Sequence, residues 1–408
     1  DGSSRLAAGN QWAFFPSGGV AWRISEEEFF GKREWLNSLK LRASYGAVGN
    51  SAIDPYQTIA GLSKYDYLFG EDAGNKFFAY RPSMIPNKDL GWEISRTANF
   101  GVDFGLWNNR ISGYIEGYIT KTSDLLMERT LPFFTGFSKV WQNIGKTENK
   151  GIELNIQANT LKTKSFSWET TVTFARNWNK ITELLGGGDI RNNSWFIGKP
   201  LQVHYNYEMI GVWQLGEEKE AQKYGAIPGD IKVKDQNNDG SIGELDKVIL
   251  GQKDPKIIAS LLNSFRFGAF DASINLNMNF GSLIHPNTYA SLITRDGLRW
   301  MPSNFKYWTP DNPTNEYTRA DKLSGYDPFA GTGGYMKGDY IKIQDITLGY
   351  DFSKIMPKNW KILRARLYAQ VRNLGYIYKA CKNDVSPEAP DFDYNIPTTY
   401  TMGINIDF

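Results

Sequence analysis

A run of acidic and amide residues at positions 235–246, DQNNDGSIGELD, has the spacing of an EF-hand calcium loop. The positions that supply ligands in such loops hold oxygen-bearing residues: Asp235, Asn237, Asp239, Ser241 and Asp246. Gly240 stands sixth, where the loop turns sharply. Aspartate at the twelfth position, in place of glutamate, shortens the last ligand arm and predicts weak binding. We therefore predict structural Ca²⁺ here; the alternative is a solvated turn without metal.

Apart from this loop, the sequence offers little that could carry catalysis. It contains no GxSxG, HExxH, P-loop or CxxC motif, and His204 and His285 lie far apart without ligand partners nearby in sequence. The single cysteine, Cys381, allows no intramolecular disulfide. We predict a protein that is not an enzyme and has no redox or organic cofactor. A net charge of +2 gives no indication of a nucleic-acid partner.

The segments that must position the loop alternate apolar and polar residues over long stretches. At the end of the chain the apolar residues fall on one face of a predicted strand: Tyr400, Met402, Ile404, Ile406 and Phe408. Strands of soluble sandwiches usually have ~5–6 residues, whereas these runs extend over about 10 or more. No apolar run approaches the ~20 residues of a transmembrane helix. The pattern predicts an all-β fold, a transmembrane antiparallel β-barrel; a large soluble β-protein is the alternative.

The connections between the predicted strands alternate in length. About eleven strands are expected, near 10–25, 39–50, 92–107, 110–124, 147–160, 165–180, 256–267, 270–281, 340–353, 359–373 and 397–408. Tight turns near 108–109, 161–164, 268–269 and 354–358 alternate with long connections. Outer-membrane barrels have short periplasmic turns and long external loops. We therefore expect long extracellular segments, above all 181–255 and 282–339.

The stretch 203–213 looks like a strand, but one more barrel crossing there would reverse the direction of every later strand. We assign it to the extracellular excursion 181–255, which also contains the loop 235–246. That loop would then face outward, where millimolar calcium suits a weak site.

The strand phrases resemble those of the SusC-like family of TonB-dependent outer-membrane transporters, the SusC/RagA type. The matching phrases run in order along the whole chain, at 14–17, 21–23, 39–50, 87–93, 143–145, 149–154, 229–242, 249–256, 340–350 and the terminal Phe408. The resemblance implies a plugged barrel of about 22 strands, lidded by a SusD-like surface lipoprotein. It also implies import of oligosaccharides or peptides, with energy relayed by TonB and no chemical conversion of the substrate.

Residues 1–408 are then expected to form the carboxy-terminal part of the barrel domain, with the plug and the first half of the barrel absent. An open edge would leave backbone groups unpaired in lipid, so the missing half must come from the same or a separate chain. The expected location is the outer membrane of a Gram-negative, Bacteroidetes-type bacterium. The alternatives are a TonB-dependent siderophore or cobalamin receptor, or a secreted calcium-stabilised, β-rich carbohydrate-binding module.

Aromatic residues in the external segments are candidates for contact with sugar rings or peptide side chains. They are Tyr65, Tyr67, Phe69, Trp195, Phe196, Trp300, Tyr307 and Trp308. For each of them, packing within a loop or against the lid is the alternative. Three inward-facing arginines, Arg364, Arg366 and Arg372, are predicted to hold acidic plug residues, or else an anionic substrate. The resemblance implies that Phe408 is the signal for barrel assembly; a simple girdle aromatic is the alternative.

Overall fold

The fold is described from a computed structural model. It describes residues 1–31, 33–68, 76–294, 305–319, 329, 331–353, 355–357, 362–382, 385–391 and 396–408. Two of the predicted ligand contacts, Phe69 and Trp300, lie outside these ranges.

Strands make up most of the described chain. The first ten are β1 (Ser17–Arg23), β2 (Leu36–Asn50), β3 (Leu62–Leu68), β4 (Lys76–Pro82), β5 (Glu93–Leu106), β6 (Ile111–Ser123), β7 (Leu126–Thr130), β8 (Lys139–Asn143), β9 (Lys146–Lys162) and β10 (Phe166–Glu183). The others are β11 (Val203–Tyr207), β12 (Met209–Val212), β13 (Ile231–Val233), β14 (Lys247–Gln252), β15 (Ile257–Phe267), β16 (Phe270–Phe280), β17 (Leu283–Ile284), β18 (Met336–Lys337), β19 (Tyr340–Asp351), β20 (Arg364–Lys379) and β21 (Thr399–Asp407).

Helices are short in the described residues. The two α-helices are α1 (Glu218–Lys223) and α2 (Asn287–Thr294), and single 3₁₀ turns occur at Ile24–Glu26, Glu28–Phe30, Phe133–Thr135, Arg191–Asn193 and Glu244–Asp246. None of the described helices has the length and apolarity to cross a membrane.

Eleven of the strands form one antiparallel sheet in the order β1-β2-β5-β6-β9-β10-β15-β16-β19-β20-β21. This confirms the all-β fold and the expected number of strands. The stretch 203–213 lies outside this sheet, because β11 pairs with β14 and β12 with β13 in two small sheets. Strands β1 and β21 are the two ends of the order.

Two strands differ most from their predicted boundaries. Strand β1 begins at Ser17, directly after Pro16, which has no backbone N–H to donate. Strand β20 continues through Asn373 and Gly375 to Lys379, beyond the predicted end at 373. These two residues have φ of 55° and 146°, and the register against β19 shifts nearby, so they form an irregularity within the strand.

Residues that tolerate positive φ form the tight turns. Gly268 has φ of 60° and begins the two-residue turn between β15 and β16, where glycine carries no steric cost. Asn108 and Asn109, both with φ of 57°, turn the chain between β5 and β6. Asparagine is among the few non-glycine residues that enter this region readily.

The contacts divide the chain into two compact units, one of residues 1–154 and 176–201, the other of residues 155–175 and 202–408. The first unit has a small core of Leu6, Ile53 and Leu90. The core of the second unit contains Tyr289, Cys381 and Val385, which come from its long connections.

Within each unit the sheet has one apolar and one polar face. In the second unit Met402 of β21 is 76% exposed, and Tyr400 and Ile404 on the same face are exposed as well. In the first unit Phe100 and Ile115 are exposed on the face opposite the ion pairs of Arg42. A soluble sandwich would bury its apolar faces against each other, so this exposure favours a sheet that meets lipid.

Candidate functional site

A partly buried ion pair crosses three strands on the polar face of the second unit. Arg366 of β20 donates from Nε and Nη2 to the two carboxylate oxygens of Asp271 on β16, at 2.8 and 2.5 Å. The pair passes over Gly349 of β19, where an added Cβ would lie 2.5 Å from the guanidinium and 2.6 Å from the carboxylate. Glycine at 349 thus leaves the space that this bidentate contact occupies.

The other two predicted arginines have different surroundings. Arg364 lies 3.4 Å from Asp351, which is also bound by Ser353. Arg372 is exposed and lies opposite Asp345 in the register of β19 and β20. Arg364 and Arg366 therefore already have acidic partners on the sheet itself. Their contact with acidic plug residues stays a prediction.

Farther along the same strands, a buried lysine anchors a connection. Lys342 of β19 is 3% exposed and donates to Glu388 at 2.7 Å. Tyr376 of β20 donates to the same carboxylate oxygen at 2.7 Å. The sequence did not indicate this cluster, because Glu388 lies 46 positions beyond Lys342 in a separate connection. The segment 385–391 is thereby fixed to the strands.

The loop 235–246 is folded by its own hydrogen bonds. Asp235 accepts the backbone N–H groups of Asn238 and Gly240 at 2.7 and 2.9 Å. Asp246 is 1% exposed and accepts the N–H groups of Gln236 and Gly243, both at 2.8 Å. The carboxylate of Asp246 thus joins the beginning of the loop to its end.

The other polar side chains of the loop also make hydrogen bonds within it. Asp239 accepts hydrogen bonds from the hydroxyl and backbone N–H of Ser241 and from the side chain of Asn237. These bonds lower the pKa of the Asp239 carboxyl. Across the described ranges, no group of three or more His, Cys, Asp or Glu side chains is arranged to hold a metal ion. The predicted ligand set also includes the Asn237 amide and Ser241 oxygens, and calcium at this loop stays a prediction from spacing.

The structure separates the predicted aromatic contacts into exposed and buried ones. Tyr65 and Tyr67 are exposed on β3, and Arg81 lies 4.4 Å from the ring centroid of Tyr65. Phe196 and Trp308 are only 7% and 6% exposed, and Trp308 donates its indole N–H to Gln214 at 2.8 Å. Burial favours packing for these last two residues.

Trp195 and Tyr307 are half-buried, and Tyr307 contacts Phe305 and Tyr317. None of the six predicted aromatic contacts that the structure describes lines the cavity of about 450 Å³ among the long connections of the second unit. At the chain end, Phe408 is exposed just beyond β21, on the apolar face of that strand.

The two histidines, 81 positions apart in sequence, come together in the second unit. Their ring centroids are 6.3 Å apart, and the ring of Tyr335 lies 5.1 Å from His204 and 4.2 Å from His285. Nε2 of His204 donates to the carbonyl of Leu283 at 2.9 Å. Burial, with Lys253 and His285 nearby, lowers the pKa of His204 to about 4. The neutral histidine therefore joins β11 to β17 at neutral pH.

Known proteins are similar to this chain in sequence and in fold. The sequence matches the family described as TonB dependent receptor-like, beta-barrel, over residues 1–374. TonB-dependent receptor P3 of Formosa agariphila is 30% identical over 444 aligned positions, covering 100% of this chain and 43% of the relative. TonB-dependent receptor SusC of Bacteroides thetaiotaomicron is 29% identical, covering 100% and 41%. The RagAB peptide importer in its closed-closed state has a TM-score of 0.80 at 24% identity, covering 100% and 45%.

The chain spans less than half the length of each of these relatives. At 24% identity, the likeness to the RagAB importer concerns the fold. The resemblance to SusC-like transporters, predicted from the strand phrases, is confirmed by the relatives and the family match. This chain belongs to the TonB-dependent receptor-like β-barrel family.

Proposed function

We propose that the chain is the strand-bearing part of a TonB-dependent transporter that imports oligosaccharides or peptides across a bacterial outer membrane. The observation that carries the proposal is the two-faced sheet, with apolar side chains exposed on one face and ion pairs such as Asp271–Arg366 on the other. That division suits strands with lipid on one side and a polar lumen on the other. Import moves the substrate without changing it, so no catalytic residue is required.

We further propose that the transporter works with a SusD-like surface lipoprotein and receives energy through TonB. The similarity to SusC, together with the RagAB fold, supports this partnership. A transmembrane edge strand without a neighbour leaves unsatisfied backbone groups in lipid, so further strands pair with β1 and β21 in the assembled barrel. The long connections then face the cell exterior, where the lipoprotein and the ligand approach.

The two-faced sheet can be tested with a matched pair of substitutions on β21. Met402→Arg places a charge on the exposed apolar face, and Thr401→Arg places the same charge on the opposite face. On a lipid-facing position arginine costs up to about 2–4 kcal/mol, whereas lumen positions tolerate it. We expect Met402→Arg to reduce the amount of folded protein in the outer-membrane fraction and Thr401→Arg to leave it near wild type. Equal amounts for both variants, or a protein that is soluble without detergent, would overturn the proposal.

A second experiment identifies the protein partners and the transported ligand. The tagged protein is purified from solubilised outer membrane, and intact mass spectrometry identifies every retained protein and small molecule. Recovery of a surface lipoprotein with a glycan or peptide is the expected result. Recovery of a metal chelate in place of either ligand would favour a siderophore receptor.

A further inference from the structure

A short segment of the last long connection, residues 385–391, lies against the polar face of the sheet in the second unit. We call this segment the strap. Its Glu388 carboxylate accepts hydrogen bonds from Lys342 of β19 and from Tyr376 of β20, both at 2.7 Å. In the strand register Lys342 lies opposite Tyr376 on one side and Asn277 on the other. The strap is therefore seated on side chains of the polar face.

The two ends of the strap hold helix α2. At one end Asp391 accepts the backbone N–H of Asn287, the first residue of the helix, and the hydroxyl of Thr288 donates to the Asp391 carbonyl at 3.2 Å. At the other end Val385 is fully buried in one apolar core with Tyr289 of the helix. Helix α2 belongs to the long connection 282–339. The strap thus joins that connection to the strands β19 and β20.

The contact between the strap and the strands involves a buried charge. Lys342 is 3% exposed, and among the described residues Glu388 is its ion-pair partner. A buried ammonium group that loses its partner is strongly destabilised, so it must become hydrated when the carboxylate leaves. A cavity of about 220 Å³ lies beside the pair, lined by Lys342, Tyr376 and Ser386 among others. Water can therefore reach the ammonium group once Glu388 has moved away.

We propose that the strap is a latch, in which Glu388 holds α2 against the strands and loss of the Lys342–Glu388 contact releases the strap and the helix together. The inference rests on the import function proposed above, because it assigns a movable element to the long connections that face the exterior. Such a movement needs an element with two discrete arrangements. The paired and the hydrated states of Lys342 provide them. Release uncovers part of the polar face while the sheet stays folded.

The single cysteine of the chain reports on the position of the strap. Cys381 is 4% exposed, and its Sγ donates to the Val385 carbonyl at 3.2 Å, so the strap covers the thiol. The test measures how fast N-ethylmaleimide modifies this cysteine in the full-length transporter, purified in detergent from the outer membrane. Mass spectrometry of the peptide that contains Cys381 gives the rate. Amide hydrogen exchange at Asn287 reports on the helix, because Asp391 accepts that N–H.

Four variants separate the latch from a general loosening of the region. Glu388→Ala leaves Lys342 buried without its anion, and Lys342→Met removes the cation instead. The double variant Lys342→Met/Glu388→Met replaces both charges by apolar side chains, a change that buried ion pairs commonly tolerate. Glu316→Ala is the matched control, because Glu316 pairs with Lys382, the neighbour of Cys381, on an exposed surface. Exposed ion pairs contribute little to stability.

We expect Glu388→Ala to accelerate both the modification of Cys381 and the amide exchange of Asn287 about tenfold or more. Lys342→Met should accelerate them less, because the side chain of Glu388 is 22% exposed and water already solvates part of its charge. Glu316→Ala and the double variant should keep rates near those of the wild type. Thermal unfolding of each variant verifies that it is folded.

Several outcomes would overturn the latch. Unchanged rates in Glu388→Ala would show that the carboxylate does not hold the strap. An equal acceleration in Glu316→Ala or in the double variant would show that an unpaired Lys342 does not drive the release. Faster modification of Cys381 without faster exchange at Asn287 would separate the strap from the helix. Should Glu388→Ala fail to fold, equal rates in Lys342→Met and the double variant would decide against the latch. The proposed import function survives these results where the wild type inserts in the outer membrane with a lipoprotein.

Discussion

Two aspartates in the second unit are satisfied in opposite ways. Asp271, on a long strand, is bound by Arg366, which lies 95 positions away in the sequence and two strands away in the sheet. Asp246, in the loop 235–246, is bound by backbone N–H groups that lie 10 and 3 positions away. The strand pair therefore depends on the register of three strands, whereas Asp246 depends on contacts within its own loop.

The strand pair and the loop are therefore sensitive to different substitutions. A carboxylate that is paired across strands needs open space between them, which Gly349 provides. The Asp246 carboxylate accepts two backbone N–H groups, so removal of its oxygens takes the acceptor from both. The two regions should therefore respond differently to steric changes and to calcium.

The largest expected effect follows from Asp246→Ala. This change leaves the N–H groups of Gln236 and Gly243 without acceptors in a buried position, at a cost of roughly 2–4 kcal/mol for opening the loop. We expect amide hydrogen exchange to accelerate strongly at those two residues. Glu244→Ala is the control, because Glu244 is exposed and pairs only with Lys247 among the described residues. Unchanged amide exchange in Asp246→Ala would contradict the conclusion that the Asp246 carboxylate holds the loop together.

A somewhat smaller effect is expected from Gly349→Val, which tests the strand side of the comparison. Its side chain would occupy the place of the Asp271–Arg366 pair, and overpacking of this kind costs about 1–3 kcal/mol. We expect the urea midpoint of the protein in detergent to fall. Gly18→Val, at a strand glycine with nothing within 4 Å of an added Cβ, should change it little. Equal midpoints for the two variants would show that the pair does not need the space.

The sequence predicted these two regions unequally. The alternation in β16 and β21 is a local pattern, so it indicated the strands and the eleven-stranded sheet directly. The spacing of residues 235–246 also predicted a turn, and the structure has one, but spacing carries no information on whether N–H groups or a metal satisfy the oxygens. Lys342 with Glu388, and His204 with His285, depend on the packing of distant connections. No local pattern in the sequence indicates that such residues come together.

Acid should have a moderate effect, through the histidine pair that joins the connections. The pKa of His204 is lowered from 6.5 to about 4, so between these values the unfolded state binds more protons than the folded state. The stability that neutral His204 contributes is fully present above pH 6.5 and is lost as the pH falls through about 4. We expect the melting temperature to decline over this window, and the decline to be smaller in His204→Gln. An identical decline in the variant would assign the pH dependence to other groups.

Calcium should have the smallest effect, and it tests whether the loop 235–246 depends on an ion, as its spacing predicts, or on its own hydrogen bonds. Every carboxylate of the predicted site already accepts N–H or hydroxyl hydrogens, so an ion would have to share or displace those bonds. Even a site with a Kd of about 1 mM would contribute only about 0.4 kcal/mol at 1 mM calcium. We therefore expect loop amide exchange to be nearly the same in 1 mM calcium and in chelator. A strong slowing by calcium that Asp239→Asn abolishes would establish the calcium site that the spacing predicts, and the loop would then depend on an ion as the strand pair depends on its arginine.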